Sequence, residues 1–164
     1  MKTFILALSL LLLLSACGGE PFHLRGSKPL PELMRQGIYL QGLDPQNDFT
    51  LALRDGLENA GAILKENPQD AATTLTIKNV RENRSVSGYS STRQVREFNH
   101  SVTVDFTVKT PALTESVERS VNATRSQVYD GKYVLGTAEE ETVIKEELRR
   151  EAVRLILLRL QALK

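Results

Sequence analysis

Four positions constrain this chain more than any others. Val102, Val104, Phe106 and Val108 are apolar, while Thr103, Asp105 and Thr107 between them are polar. Successive side chains of a strand point to opposite faces, so this alternation describes a strand with one face in a core and the other toward water. Such a strand needs neighbours of the same kind and a second layer to cover its apolar face. The only cysteine is Cys17, near the N-terminus. With that thiol committed elsewhere, as argued below, no disulfide forms within the chain and packing alone must hold the layers.

The remaining sequence supplies strands and a covering layer. Ile38-Tyr39-Leu40 is a short apolar run that suits a buried strand. Asp44-Pro45 and Asn47-Asp48 give turn and N-cap chemistry. From Phe49 the spacing turns helical, with Phe49, Leu53, Leu57 and Ala60 on one face and Gly61 placed as a C′ terminator. Leu75 and Ile77 then alternate with Thr74, Thr76 and Lys78. Val80 breaks that parity, which marks either a bulge or the end of the buried stretch. Ser85 to Ser91 is a polar stretch suited to a hairpin end. Val117, Val121 and Ala123 give a weaker third alternation that runs to Gln127. A long helix closes the chain. Thr137 is the expected cap, and Glu139, Glu140 and Glu141 fall in the expected first turn, where the helix dipole favours acid. Val143, Ile144, Leu148, Ala152, Leu155, Ile156 and Leu160 form its apolar stripe, with fuller burial expected from Leu155 to Leu158. The order β-α-β-β-β-α predicts an α+β, two-layer sandwich: a four-stranded mixed sheet with two helices packed on one face.

The N-terminus carries an address. Met1 and Lys2 precede an almost unbroken apolar run from Phe4 to Leu14, too short for a transmembrane helix and of the right length for a secretory signal. Leu14-Ser15-Ala16-Cys17 resembles a bacterial lipobox, in which the cysteine thiol is acylated, the preceding peptide is removed and the new amino group is acylated too. Two or more acyl chains anchor stably where one is marginal. Gly18 follows in place of Asp, which by resemblance to sorted lipoproteins favours the outer membrane. Residues 1–16 are thus expected to be a signal peptide, 17–35 the lipidated cysteine and a proline-bearing tether, and 36–164 a single sandwich domain.

Charge and motifs narrow the function. Of 21 basic and 20 acidic residues, only Lys2 lies in the leader, so the mature chain is close to neutral. That argues against a general nucleic-acid binder. His23 and His100 are the only histidines, and neither is spaced for a metal with the cysteine or the other. No nucleophile elbow, phosphate loop or zinc-protease motif occurs, so neither an enzyme nor a cofactor is expected. One charge feature stands out. Lys78, Arg81, Arg84, Arg93 and Arg96 share one hairpin stretch, opposed there by Glu82. Arginine forks in such a cluster could meet phosphates. Equally, they could be a solvated hairpin whose charges discourage edge-to-edge aggregation.

Cys17-Gly18, followed by Phe22-His23-Leu24-Arg25-Gly26, is similar to the start of the LPS-assembly lipoprotein LptE family, also called RlpB. In that family the lipidated Cys-Gly leads almost at once into an aromatic-x-Leu-Arg segment; here Gly19-Glu20-Pro21 intervenes. The likeness continues through the element order into Glu146-Glu147-Leu148-Arg149-Arg150 and the final Leu158-Arg159-Leu160-Gln161-Ala162-Leu163. The resemblance implies a lipid-anchored protein on the periplasmic face of the outer membrane. It would plug and help assemble the LptD β-barrel and take part in lipopolysaccharide transport to the outer leaflet. It also implies lipopolysaccharide binding through basic residues near loop ends, which here are Arg93 and Arg96 in the hairpin and Lys132 before the last helix. The competing class is a stand-alone lipid-binding or scaffold lipoprotein with no barrel partner.

Overall fold

The computed structural model describes residues 30–111, 113, 115–129 and 134–163. Cys17 and Lys132 lie outside them. A five-residue helix, α1 (Glu32–Gln36), precedes β1 (Ile38–Gln41), α2 (Asp48–Asn59) and β2 (Leu64–Lys65). A 3-10 turn at Pro68–Asp70 leads into β3 (Thr73–Tyr89), β4 (Val95–Lys109), β5 (Val117–Val128) and α3 (Val134–Gln161). The sheet order is β2-β1-β3-β4-β5. β1 runs parallel to both β2 and β3, and the β3–β4 and β4–β5 pairs are antiparallel. The architecture is the expected α+β sandwich, but the sheet has five strands rather than four. Leu64–Lys65 is too short to show any periodicity and exists as a strand only through its pairing with Ile38–Tyr39.

Local chemistry sets the boundaries of α2. The Asn47 side chain accepts a hydrogen bond from the Phe49 N–H (2.8 Å), capping the start. At the far end the Gly61 N–H donates to the Glu58 carbonyl and the Ala62 N–H to that of Leu57, both 2.9 Å. That pair is a Schellman closure, and it needs the left-handed backbone that Gly61 adopts at φ 85°.

The even-numbered residues of β4, from His100 through Val108, face inward and are buried. In β3 the inward parity changes partway along. Thr73, Leu75 and Ile77 are buried, but the register steps from Ile77 opposite Phe106 to Asn79 opposite Asp105, leaving Lys78 as the extra residue of a bulge. Above it Val80, Glu82 and Arg84 stand opposite the inward-facing Val104, Val102 and His100. Val80's broken parity is therefore a bulge, and the strand continues. The hairpin strands also run further than their apolar pattern suggests. Ser85–Tyr89 still belongs to β3, and β4 starts at Val95.

One helix layer covers this face. With 15 residues in β4 and 28 in α3, the strand spans roughly 50 Å and the helix about 42 Å, so α3 runs nearly the length of the hairpin. α2 packs beside its lower half. The core joins Leu53 and Leu57 of α2 with Ile144, Leu148, Ala152, Ile156 and Leu160 of α3. Leu30 and Met34, within the 17–35 stretch expected as tether, are also buried in it. Gly56 lets the helices approach closely, since a Cβ there would lie 2.5 Å from Val153 Cγ1. Two parts of the α3 reading are corrected. The helix begins at Val134, so the acids from 139 to 141 fall beyond its first turn. Val143 and Leu158 are exposed instead of buried.

Phe106 is the largest fully buried residue of β4, at 1% exposure. Phe106→Ala should cost about 3–5 kcal/mol, mostly from the cavity left behind. The urea midpoint should fall with little change in slope.

Candidate functional site

The far end of the β3–β4 hairpin is built around Ser90. Its N–H donates to the Gln94 carbonyl (2.8 Å), its carbonyl accepts from the Arg93 N–H (2.9 Å), and its hydroxyl accepts from the Gln94 N–H (3.1 Å). These bonds hold Arg93 at φ 60°, the only positive φ on a non-glycine residue among those described. That conformation is costly for a long side chain and persists because the turn over-determines it. Arg93 therefore stands in the turn itself, exposed, and not beside an uncharged tip as its neighbours Tyr89-Ser90-Ser91-Thr92 suggest.

Arg96, one turn of pleat below, is exposed. Its carbonyl accepts from the Tyr129 N–H (2.8 Å). Tyr129 is the last described residue before Lys132, which itself lies outside the described residues. Among the described residues neither Arg93 nor Arg96 has an ion-pair partner. Apolar groups share this end: Val86, Tyr89 and Val128 are 40%, 66% and 74% exposed. Sequence patterning missed them, because alternation alone does not say which end of a strand outruns its cover.

The rest of the hairpin's basic cluster is dispersed. Arg81 pairs with Asp105 (3.0 Å). Arg84 turns under α3, where it pairs with Glu141 (3.2 Å) and lies 3.7 Å from the centroid of the Phe98 ring. Phe98 in turn meets the Tyr129 ring edge-on at 5.5 Å. Glu82, the acid within the cluster, accepts from Arg149 of α3 (2.8 Å), which also donates to Asp48 at the start of α2 (2.9 Å). Among the described residues, the cations of this stretch without an ion-pair partner are Arg93 and Arg96 at the tip and Lys78 at the bulge.

Beneath the tip lies a polar layer that positions the start of α3. His100 is 2% exposed and lies inside β4. Its Nε2 lies 2.9 Å from Gln127 Oε1. Gln127 Nε2 donates to the Thr137 carbonyl (2.9 Å) and to Glu140 (3.2 Å). Since an amide oxygen only accepts, Nε2 of His100 is the donor, and both side chains are spent on holding α3. The Glu141 carboxyl is held below the usual glutamate range, first by the hydrogen bond from Lys145 and then by the charge of Arg84, against an opposing contribution from burial. The acids at 140 and 141 therefore bind sheet and helix side chains and are not poised as a catalytic pair. Among the described residues no group of histidine, cysteine and acid side chains could hold a metal, and no helix is long and apolar enough to cross a membrane.

What the exposed end can do chemically is bind an amphiphile with anionic groups. Two guanidinium forks without an ion-pair partner among the described residues offer planar donors to phosphate, and exposed apolar side chains share that end of the sheet.

Comparisons with known proteins agree with this architecture. The model of the LptE family, described as lipopolysaccharide-assembly, matches residues 35–160. No curated protein sequence matches the chain. Among solved structures, rare lipoprotein B from Shewanella oneidensis superposes with a TM-score of 0.67 at 21% identity, over 74% of this chain and 91% of that one. Lipoprotein B from Nitrosomonas europaea gives 0.69 at 20%, over 86% and 90%. A minor lipoprotein from Acinetobacter baumannii gives 0.64 at 18%, over 82% and 94%. At these identities the structures speak for the fold, and the family model speaks for the relationship.

Because its folded value is depressed, Glu141 contributes stability that is fully present above the ordinary glutamate range, about 4.3, and is lost as pH falls through the folded value. Glu141→Gln should therefore be less stable than the parent at neutral pH. Urea titrations should show that difference closing as the pH is lowered below the ordinary glutamate range.

Proposed function

We propose, from the premise that this chain belongs to the LptE lipopolysaccharide-assembly family, that it is an outer-membrane lipoprotein acting by binding, without catalysis. Acyl chains on Cys17 hold it at the periplasmic face. The segment between that anchor and Leu30 lets the sandwich reach the LptD barrel, fill its lumen and support its assembly. The hairpin tip engages lipopolysaccharide on its way to the outer leaflet.

The observation that carries this reading is the tip: Arg93 and Arg96 are exposed and without an ion-pair partner among the described residues, and Tyr89 and Val128 are exposed at the same end of the sheet. Lipid A presents phosphates next to acyl chains, so cations and apolar groups in one place suit it. The guanidinium groups compete with the divalent ions that bridge neighbouring phosphates, which loosens lipopolysaccharide aggregates. Lys132, outside the described residues, is the third cation of this assignment. The uncovered sheet face supports the plug reading. Asn83, Asn122 and Thr124 on it are exposed and Ser101 and Thr103 half-buried, a polar surface suited to a wet barrel interior.

Arg93→Asp with Arg96→Asp should weaken lipopolysaccharide binding and flatten its dependence on salt, while leaving the thermal transition in place. Unchanged binding by the folded double variant would sink the assignment of the tip. Separately, extraction of the lipidated protein from outer membranes should yield a stable one-to-one complex with a large barrel. A free monomer there would favour the stand-alone lipoprotein.

A further inference from the structure

The ladder between β3 and β4 loses its regular count twice near the tip. Val86 stands opposite Phe98 and Gly88 opposite Glu97, so Ser87 is an extra residue of β3. Tyr89 then stands opposite Val95, so Arg96 is an extra residue of β4. In a regular strand the pleat fixes the side to which each side chain points, but at the extra residue of a bulge it does not. Arg96, exposed and without an ion-pair partner among the described residues, is therefore not aimed by its pairing with β3. A contact outside that pairing must hold it.

The contacts that do so converge on one side chain. The Arg96 carbonyl accepts from the Tyr129 N–H at 2.8 Å. The Tyr129 ring meets Phe98 edge-on, with centroids 5.5 Å apart and planes at 80°. The Arg84 guanidinium lies 3.7 Å from the centroid of the same Phe98 ring, and Arg84 is paired in turn with Glu141 of α3 at 3.2 Å. Phe98 thus touches one residue tied to the helix and another tied to Arg96. Both contacts use the charge distribution of an aromatic ring, which an aliphatic side chain of similar volume does not reproduce. Glu97, the acid next in sequence to Arg96, forms no ion pair with it among the described residues. Its side chain lies against the bare backbone of Gly88, where an added Cβ would meet Glu97 Cβ at 3.0 Å and Oε2 at 3.2 Å.

We infer that Phe98 is the positioning residue of the tip. Through Tyr129 it fixes the bulge that aims Arg96, and through Arg84 it refers that bulge to the start of α3. Half-buried itself, Phe98 acts on the ligand only through Arg96. Its effect is preorganisation: a guanidinium carried on a backbone already held in place gives up less freedom when it meets a phosphate. The inference rests on the reading of the tip as the lipopolysaccharide site and names the residue that orients one of its cations.

Binding of purified lipopolysaccharide to the full chain, measured well below the thermal transition, tests it. Phe98→Leu should bind roughly fivefold or more weakly than the parent. Phe98→Tyr keeps the ring and should bind like the parent. Val121→Ala, a core change opposite Val104, should lower stability without moving the affinity. Amide exchange gives a second readout: the Tyr129 N–H, bonded to Arg96, should exchange faster in Phe98→Leu than in the parent or in Phe98→Tyr. Should Phe98→Leu not fold, Tyr129→Leu removes the second ring and takes its place in both measurements. Parent-like affinity in the folded variant overturns the inference, and so does parent-like exchange at Tyr129. A loss of affinity that Phe98→Tyr does not restore, or that Val121→Ala shares, overturns it too. Arg93→Asp with Arg96→Asp, run in the same series, separates two failures. If that double variant loses binding and Phe98→Leu does not, only the positioning role falls. If it binds like the parent, the assignment of the tip falls and this inference with it.

Discussion

The extra residue at Lys78 decides what lies beneath α3. Without it, β3 would keep the parity of Leu75 and Ile77, and Arg81 and Asn83 would turn inward in place of Glu82 and Arg84. The bulge lets one continuous strand serve two environments. Below it, aliphatic side chains pack against both helices. Above it, Glu82 and Arg84 find Arg149 and Glu141 on α3. The helix can therefore follow the hairpin well past the end of the aliphatic core. An amphipathic helix over a strand that remained apolar to its tip would need a matching apolar stripe throughout. α3 instead presents Glu140, Glu141 and Lys145 over the upper sheet, and the inward residues of that region answer them.

This arrangement divides the work of stability. Ion pairs such as Arg125–Glu147, with both side chains about half exposed, contribute little individually. Arg149 differs in joining three elements, α2, β3 and α3, from a side chain 23% exposed, so its loss would release contacts on two sides at once. The buried His100–Gln127 pair adds specificity of placement. It offers the first turns of α3 one set of partners that a shifted helix would leave unsatisfied. The aliphatic core supplies the bulk of the energy and the polar layer supplies the register.

How much of this was legible follows from how local each determinant is. The strand through Val102–Val108 and the helix from Phe49 to Gly61 declare themselves by periodicity and by caps a few residues away. β5 was visible for the same reason, down to the buried Gln127. The Leu64–Lys65 strand could not be seen, because two residues have no period and only the pairing with β1 defines them. His100 and Gln127 lie 27 residues apart and meet through strand register, which no local pattern reports. The spread of the basic cluster was equally hidden: Arg81 and Arg84 look alike in sequence, yet they point to opposite faces. Toward the far end of α3 the run of apolar letters overstated burial at Leu158, and at the tip the turn that holds Arg93 is unusual in placing a left-handed conformation on arginine where glycine or asparagine is the common choice.

The contact between Asp48 and Arg149 spans 101 residues of chain. It joins α2 to α3, and most of the covering layer comes from residues 134 onward. A growing chain can form the β3–β4 hairpin early, from neighbours in sequence. It cannot close its core until the final helix has been made, because Val121, Ala123 and the upper sheet have nothing else to cover them. α3 is thus the element that commits this domain to its native state. A domain ordered in this way remains an open, threadable polymer until that helix has been made.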